Sequence, residues 1–114
     1  MALHIKTRST ADNLFDKISE KFQNNEIDTW LMDIDGDFTH SPSQWIKQAW
    51  IRKVSSSDKE LVFGIIGRKD VPMSKVIYGV YHGRFAEMLL TYFDEDIDDI
   101  RITSLLEEGI DHAK

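Results

Sequence analysis

Leu14, Ile18 and Phe22 recur at four-residue intervals with Ala11 and Phe15 beside them, and this stripe constrains the fold more than any other feature of the chain. At about 3.6 residues per turn, that spacing gathers the apolar side chains on one helical face. A helix is predicted from about Thr10 to Asn24. Ser9 or Thr10 serves as its cap, and Asp12 falls in the first turn, where the helix dipole favours an anion. Such a helix must lay its apolar face on another element, and most of the chain beyond it reads as strand.

Ile27 to Ile34 has apolar residues on both faces and reads as a central strand. Gly36 to Ser43 reads as a polar loop. Ser41-Pro42-Ser43-Gln44 carries the signature of a helical start, and one turn there is followed by a strand from about Lys47. The polar run Ser55 to Lys59 then turns the chain into a strand over Leu61 to Ile66. Lys75 to Tyr81 is rich in β-branched and aromatic residues and is predicted as a strand. A continuous helix from Ser74 to Phe93 competes with it, but Gly79 and Gly83 would each weaken that helix by ~1 kcal/mol. A break at His82-Gly83 and a helix from Arg84 to Phe93 follow, with Phe85, Met88, Leu89 and Tyr92 on its buried face. An acidic loop, a short strand over Ile100 to Ser104 and a polar tail over Glu107 to Lys114 complete the chain.

The expected order is α-β-β-β-β-α-β. Strands in series with short connections favour an antiparallel sheet, here of about five strands, with both helices packed on one face in a two-layer α+β fold. The 114 residues suit a single domain, with residues 1–9 and 105–114 expected to be flexible. The absence of cysteine excludes a disulfide framework, a thiol nucleophile and a Cys-ligated metal. Residues 1–10 contain no apolar core of a signal peptide, and no apolar run approaches the ~20 residues of a membrane span. A cytoplasmic location, no membrane contact and no cofactor are expected.

Charge is segregated along the chain. Residues 1–43 hold four Lys/Arg and eight Asp/Glu, residues 44–84 hold eight and three, and residues 85–114 hold two and nine. The acidic ends can neutralise the basic middle within the fold, or the two signs can form separate surfaces that attract partners. The densest run is Asp94-Glu95-Asp96-Ile97-Asp98-Asp99. Read as function, it is a docking surface for a basic protein partner.

Three further groups bear on function. Tyr81, His82 and Arg84 are placed by the expected strand-to-helix junction near a helix N-terminus, where they suit an anion or ligand. Trp50, Arg52 and Lys53 join an aromatic ring to cations, as in a nucleic-acid contact, which the net charge of −6 opposes. Finally, Leu31-Met32-Asp33-Ile34-Asp35-Gly36-Asp37 resembles the first motif of haloacid-dehalogenase-type phosphatases. The resemblance covers seven residues and has Asp37 where that family carries Thr. It implies a metal-dependent phosphohydrolase with Asp33 as nucleophile and Asp35 as acid/base. The same Asp33, Asp35 and Asp37 would be the ligands of a Ca²⁺ or Mg²⁺ site, but Gly36 precedes rather than follows the third acid, so the EF-hand pattern is absent. An Asp-Gly turn accounts for the run without chemistry. No catalytic set and no metal are therefore assigned, and a non-catalytic binding or regulatory protein of inhibitor or immunity type is the expectation.

Overall fold

The computed structural model describes residues 2–113 and has an α+β fold of six antiparallel strands and two helices. The elements are β1 (Leu3–Thr7), α1 (Ala11–Gln23), β2 (Trp30–Met32), β3 (Phe38–His40), β4 (Ala49–Ser56), β5 (Glu60–Gly67), α2 (Lys75–Phe93), a 3₁₀ turn (Asp94–Asp96) and β6 (Ile97–Ile102). The sheet runs β2-β3-β4-β5-β1-β6. Its register is fixed by pairs such as Leu3 with Phe63 and with Ile102, Ile51 with Ile65, and Phe38 with Ile51.

Both helices lie on one face of this sheet. Leu61, Phe63 and Ile65 of β5 point into the core and alternate with Val62, Gly64 and Ile66 on the other face, as the two-residue period of a strand requires. Leu14, Ile18 and Phe22 of α1 and Tyr81, Phe85 and Leu89 of α2 close over them. The Thr10 hydroxyl caps α1 by accepting from the Asn13 N–H at 3.1 Å.

β1, within the first nine residues, lies inside the sheet, with Leu3 and Ile5 fully buried. Three expectations are corrected. Phe38–His40, expected as part of a polar loop, is a strand whose three residues are all buried. The strand predicted at Ile27 to Ile34 is confined to Trp30–Met32, and Ile34 sits fully exposed at the tip of the following turn. Lys75 to Tyr81 is not a strand but the first half of a continuous 19-residue helix. Ser74 caps it by accepting from the Ile77 N–H at 3.1 Å. The helix is held by tertiary burial: Tyr78, Tyr81, His82, Phe85, Met88, Leu89 and Phe93 are all buried. Burying a large side chain contributes ~1.5–3 kcal/mol, which outweighs the cost of two glycines.

The C-terminal segment takes a place beside β5 beyond the end of β1. The His112 N–H donates to the Ile65 carbonyl at 2.8 Å, and the Gly67 N–H donates to the His112 carbonyl at 2.9 Å. Asp111 accepts from the Ile65 N–H at 2.8 Å, and His4 meets Glu107 at 2.8 Å. Gly64 permits this approach, because a Cβ there would stand 2.2 Å from the Ile110 carbonyl oxygen.

His40 supplies a pH dependence. It is 5 % exposed, donates from Nδ1 to the Thr29 carbonyl at 2.7 Å and packs 4.7 Å from the Trp30 ring. Burial pushes its pKa below the ordinary value of 6.5, the Thr29 hydrogen bond opposing and Arg84 reinforcing the shift. Below pH ~6.5 the unfolded chain takes up a proton that folded His40 resists, so stability falls with acidification through that range. The slope from one such group is at most ~1.4 kcal/mol per pH unit. Urea midpoints measured from neutral to mildly acid pH are expected to fall, and to fall less steeply in His40→Phe. Equal slopes would mean that His40 does not carry the effect.

Candidate functional site

The turn between β2 and β3 is built by Asp33. Its Oδ1 accepts from the Asp35 N–H at 2.9 Å and the Asp37 N–H at 3.0 Å, while its N–H donates to the Asp37 carbonyl at 2.8 Å. Gly36 takes φ +82°, a left-handed conformation glycine adopts without penalty. Asp37 is buried and held by a two-pronged bond from Arg52: Nε to Oδ1 at 2.8 Å and Nη2 to Oδ2 at 2.7 Å. The Asp37 hydrogen bonds bind the Arg52 proton more firmly still, with the charges of Asp35 and Asp33 adding to them.

This turn borders a cleft of about 650 Å³ on the sheet face away from the helices. Leu31, Met32, Trp50 and Ile66 give it apolar walls, and Asp33, Asp35, Lys47 and Arg52 give it charge. The sheet thus brings together two groups that are separate in sequence, the aspartates and the Trp50–Arg52 pair. Carboxylate oxygens of Asp33, Asp35 and Asp37 come within 4.8 Å of one another. The positive charge among them is the Arg52 guanidinium, which occupies both oxygens of Asp37. The phosphatase resemblance implies a strand opening a doubly wound domain. Here the run is a tight turn between antiparallel neighbours, and an oxygen of the would-be nucleophile Asp33 already carries two N–H donors.

The expected nucleic-acid group is split. Arg52 lies in the cleft, but Lys53 turns to the helix side and places Nζ 4.4 Å from the centre of the Phe15 ring. The Tyr81, His82 and Arg84 group is also dispersed. Tyr81 is fully buried, its hydroxyl 3.0 Å from Thr39 Oγ1 and donating to the Trp45 carbonyl. Buried His82 donates from Nδ1 to the Tyr78 carbonyl within α2 at 2.8 Å. Arg84 is exposed and pairs with Glu87 at 3.1 Å. All three stand in the middle of α2, far from the helix N-terminus their predicted role requires.

The acidic run forms a surface at the opposite end of α2 from its cap. Asp94–Asp96 is the 3₁₀ turn, and Asp98 and Asp99 stand on β6, which among the described residues pairs on one side only, with β1. Neutralisation is partial. Lys17 meets Asp96 at 2.8 Å and Arg8 meets Asp98 at 3.1 Å, while Asp94, Glu95 and Asp99 enter no ion pair among the described residues. No family model, no curated protein and no solved structure matches this chain.

Among the described residues, no helix is long and apolar enough to cross a membrane. Sequence reasoning missed the fork from Arg52 to Asp37 and the seat of the C-terminal segment. The only sign of the first is an arginine fifteen residues from an aspartate, a spacing with no meaning until β3 and β4 pair.

Proposed function

We propose that this is a small non-catalytic binding protein that acts through a protein partner, in an inhibitor- or immunity-type role, and that Glu95, Asp98 and Asp99 receive a basic segment of that partner. One observation carries the reading: the fold matches only part of this acidic run with cations, leaving Asp94, Glu95 and Asp99 with no ion pair among the described residues. Asp94–Asp96 follow α2 directly, with no basic residue in its last turn. Carboxylates beside the negative end of a helix dipole cost ~0.3–1 kcal/mol each. Folding stability does not account for that placement, whereas attraction of a cationic partner does.

The free edge of β6 suggests the manner of docking. An extended segment adds to a sheet edge through main-chain hydrogen bonds, and flanking charges select which segment. Carboxylates favour Lys- or Arg-bearing strands and oppose the pairing of two β6 edges with each other.

The test uses the whole chain as bait in an extract of its native host, with captured proteins identified by mass spectrometry. Glu95→Gln/Asp98→Asn/Asp99→Asn serves as the comparison, leaving the Lys17–Asp96 pair intact. A basic protein bound by the parent is expected to be lost by the variant, and its association with the parent to slow as salt rises. The variant's melting temperature is expected to hold or to rise, since exposed pairs such as Arg8–Asp98 contribute little. Capture that is the same for both baits would sink the proposal.

A further inference from the structure

The two helices share one side of the sheet, but their outward faces differ in kind. α1 presents Asp12, Asp16, Lys17 and Glu20 to solvent. α2 presents Val76, Gly79, Gly83 and Leu90, with Val80 and Ala86 half-buried at the two edges of this face and Glu87, whose charge Arg84 meets, as the charged residue within it. At about 100° per residue these positions lie within about 60° of Gly83, opposite the buried Tyr81 and Phe85. Val76 is 63 % exposed and Leu90 53 %. A surface helix is expected to turn polar residues outward, and an apolar outer face marks a contact.

The two glycines of this face are costly to the single chain. A Cβ at Gly79 or Gly83 would have no neighbour within 4 Å, so the fold of one chain does not require either glycine. Both weaken the helix relative to alanine. Two glycines four residues apart on an exposed face would let a second helix approach the backbone closely, as small residues do between packed helices in membranes.

We infer that this face docks against the same face of a second copy of the chain, with the two α2 helices crossing antiparallel at Gly83 about a two-fold axis. The pattern is self-complementary about that residue. Val76 and Leu90 stand seven positions to either side of Gly83, and Val80 and Ala86 stand three. In an antiparallel pair, Val76 therefore faces Leu90 of the second copy and Val80 faces its Ala86, as a two-fold interface demands. Charge selects the same arrangement. α2 begins at Lys75 with no acid in its first turn, and it ends at Phe93 with no base in its last and Asp94 as its C-cap. Antiparallel packing brings Lys75 towards Asp94 of the second copy and opposes the two helix dipoles, whereas parallel packing would set like ends together. The inference does not rest on the acidic docking surface, because Glu95, Asp98 and Asp99 take no part in it.

Sedimentation of the full chain across a concentration series tests it. The parent is expected to move from 13.2 kDa towards twice that mass as concentration rises. Gly83→Leu enters open space in a single chain, so it is expected to fold with an unchanged or higher melting temperature while weakening the dimer by at least ~10-fold. Leu90→Glu is expected to weaken it likewise. Lys75→Glu is expected to weaken association, and combining it with Asp94→Lys to restore it, an outcome that only the antiparallel arrangement produces. A parent that stays monomeric at every concentration would overturn the inference. So would a dimer indifferent to Gly83→Leu, assemblies larger than two copies, or adsorption to lipid vesicles in place of self-association.

Discussion

Phe85→Ala is expected to remove ~3–5 kcal/mol of folding stability, a large share of the ~5–15 kcal/mol a domain of this kind possesses. Phe85 is fully buried where α2 meets the sheet, its ring centre 5.1 Å from Trp30, 5.5 Å from Phe38 and 5.1 Å from Phe63. These partners come from β2, β3 and β5, so the ring joins both halves of the sheet to the helix. Truncation leaves a cavity that no single neighbour can fill, and the aromatic edge contacts are lost with it. Urea unfolding should show a lower midpoint with an unchanged slope. Phe15→Ala is the control, since that ring is only half-buried and its loss should cost less. A loss below ~1.5 kcal/mol at Phe85 would mean that the core closes without it.

Gly64→Val is expected to destabilise by a comparable amount for a different reason. Valine suits a strand, so β5 itself is not harmed. The added Cβ would meet the Ile110 carbonyl oxygen at 2.2 Å and its carbon at 2.8 Å, and both are main-chain atoms that cannot turn aside. The segment around Ile110 must leave β5. With it go the two main-chain bonds of His112, the Asp111 bond to the Ile65 N–H and the contact between His4 and Glu107. At ~1 kcal/mol net for each hydrogen bond, about 3–4 kcal/mol is at stake. Hydrogen exchange should locate the damage: the amides of Ile65 and Gly67 should lose protection while those of α1 keep theirs. Gly79→Ala provides the contrast, as it enters open space and should not destabilise the folded chain. Unchanged exchange at Ile65 in Gly64→Val would show that the segment is held by something other than this approach.

The elements legible in the sequence are those whose residues carry their own pattern. The stripe of α1 and the hairpin of β4 and β5 were visible because period and turn chemistry agree with burial there. β3 was not legible, because three residues are too few to display a period. β1 does alternate, with Leu3, Ile5 and Thr7 against His4 and Lys6, but nothing in the sequence says that β5 from the middle of the chain and β6 from near its end will flank it. In α2, local preference and tertiary burial disagree. Val76, Ile77 and Val80 favour a strand, and the core overrules them. The acidic run was plain as composition, but its partial neutralisation by Lys17 and Arg8 joins residues 79 and 90 positions apart. That pairing exists only after β6 has found β1.

The place of β1 has a consequence for how the chain reaches its native state. β1 is synthesised before both of its partners, and it pairs through Leu3 with Phe63 on one side and with Ile102 on the other. Both pairings close most of the polypeptide into a loop before any main-chain bond rewards it, a topology that slows folding. Until β5 and β6 emerge from the ribosome, Leu3 and Ile5 lie on a strand with two open edges, the form most prone to join a neighbouring nascent chain. The exposed interval is set by translation rather than by the protein's own stability. Synthesis that stalls between β5 and β6 should therefore yield aggregates from a sequence whose finished product is well packed.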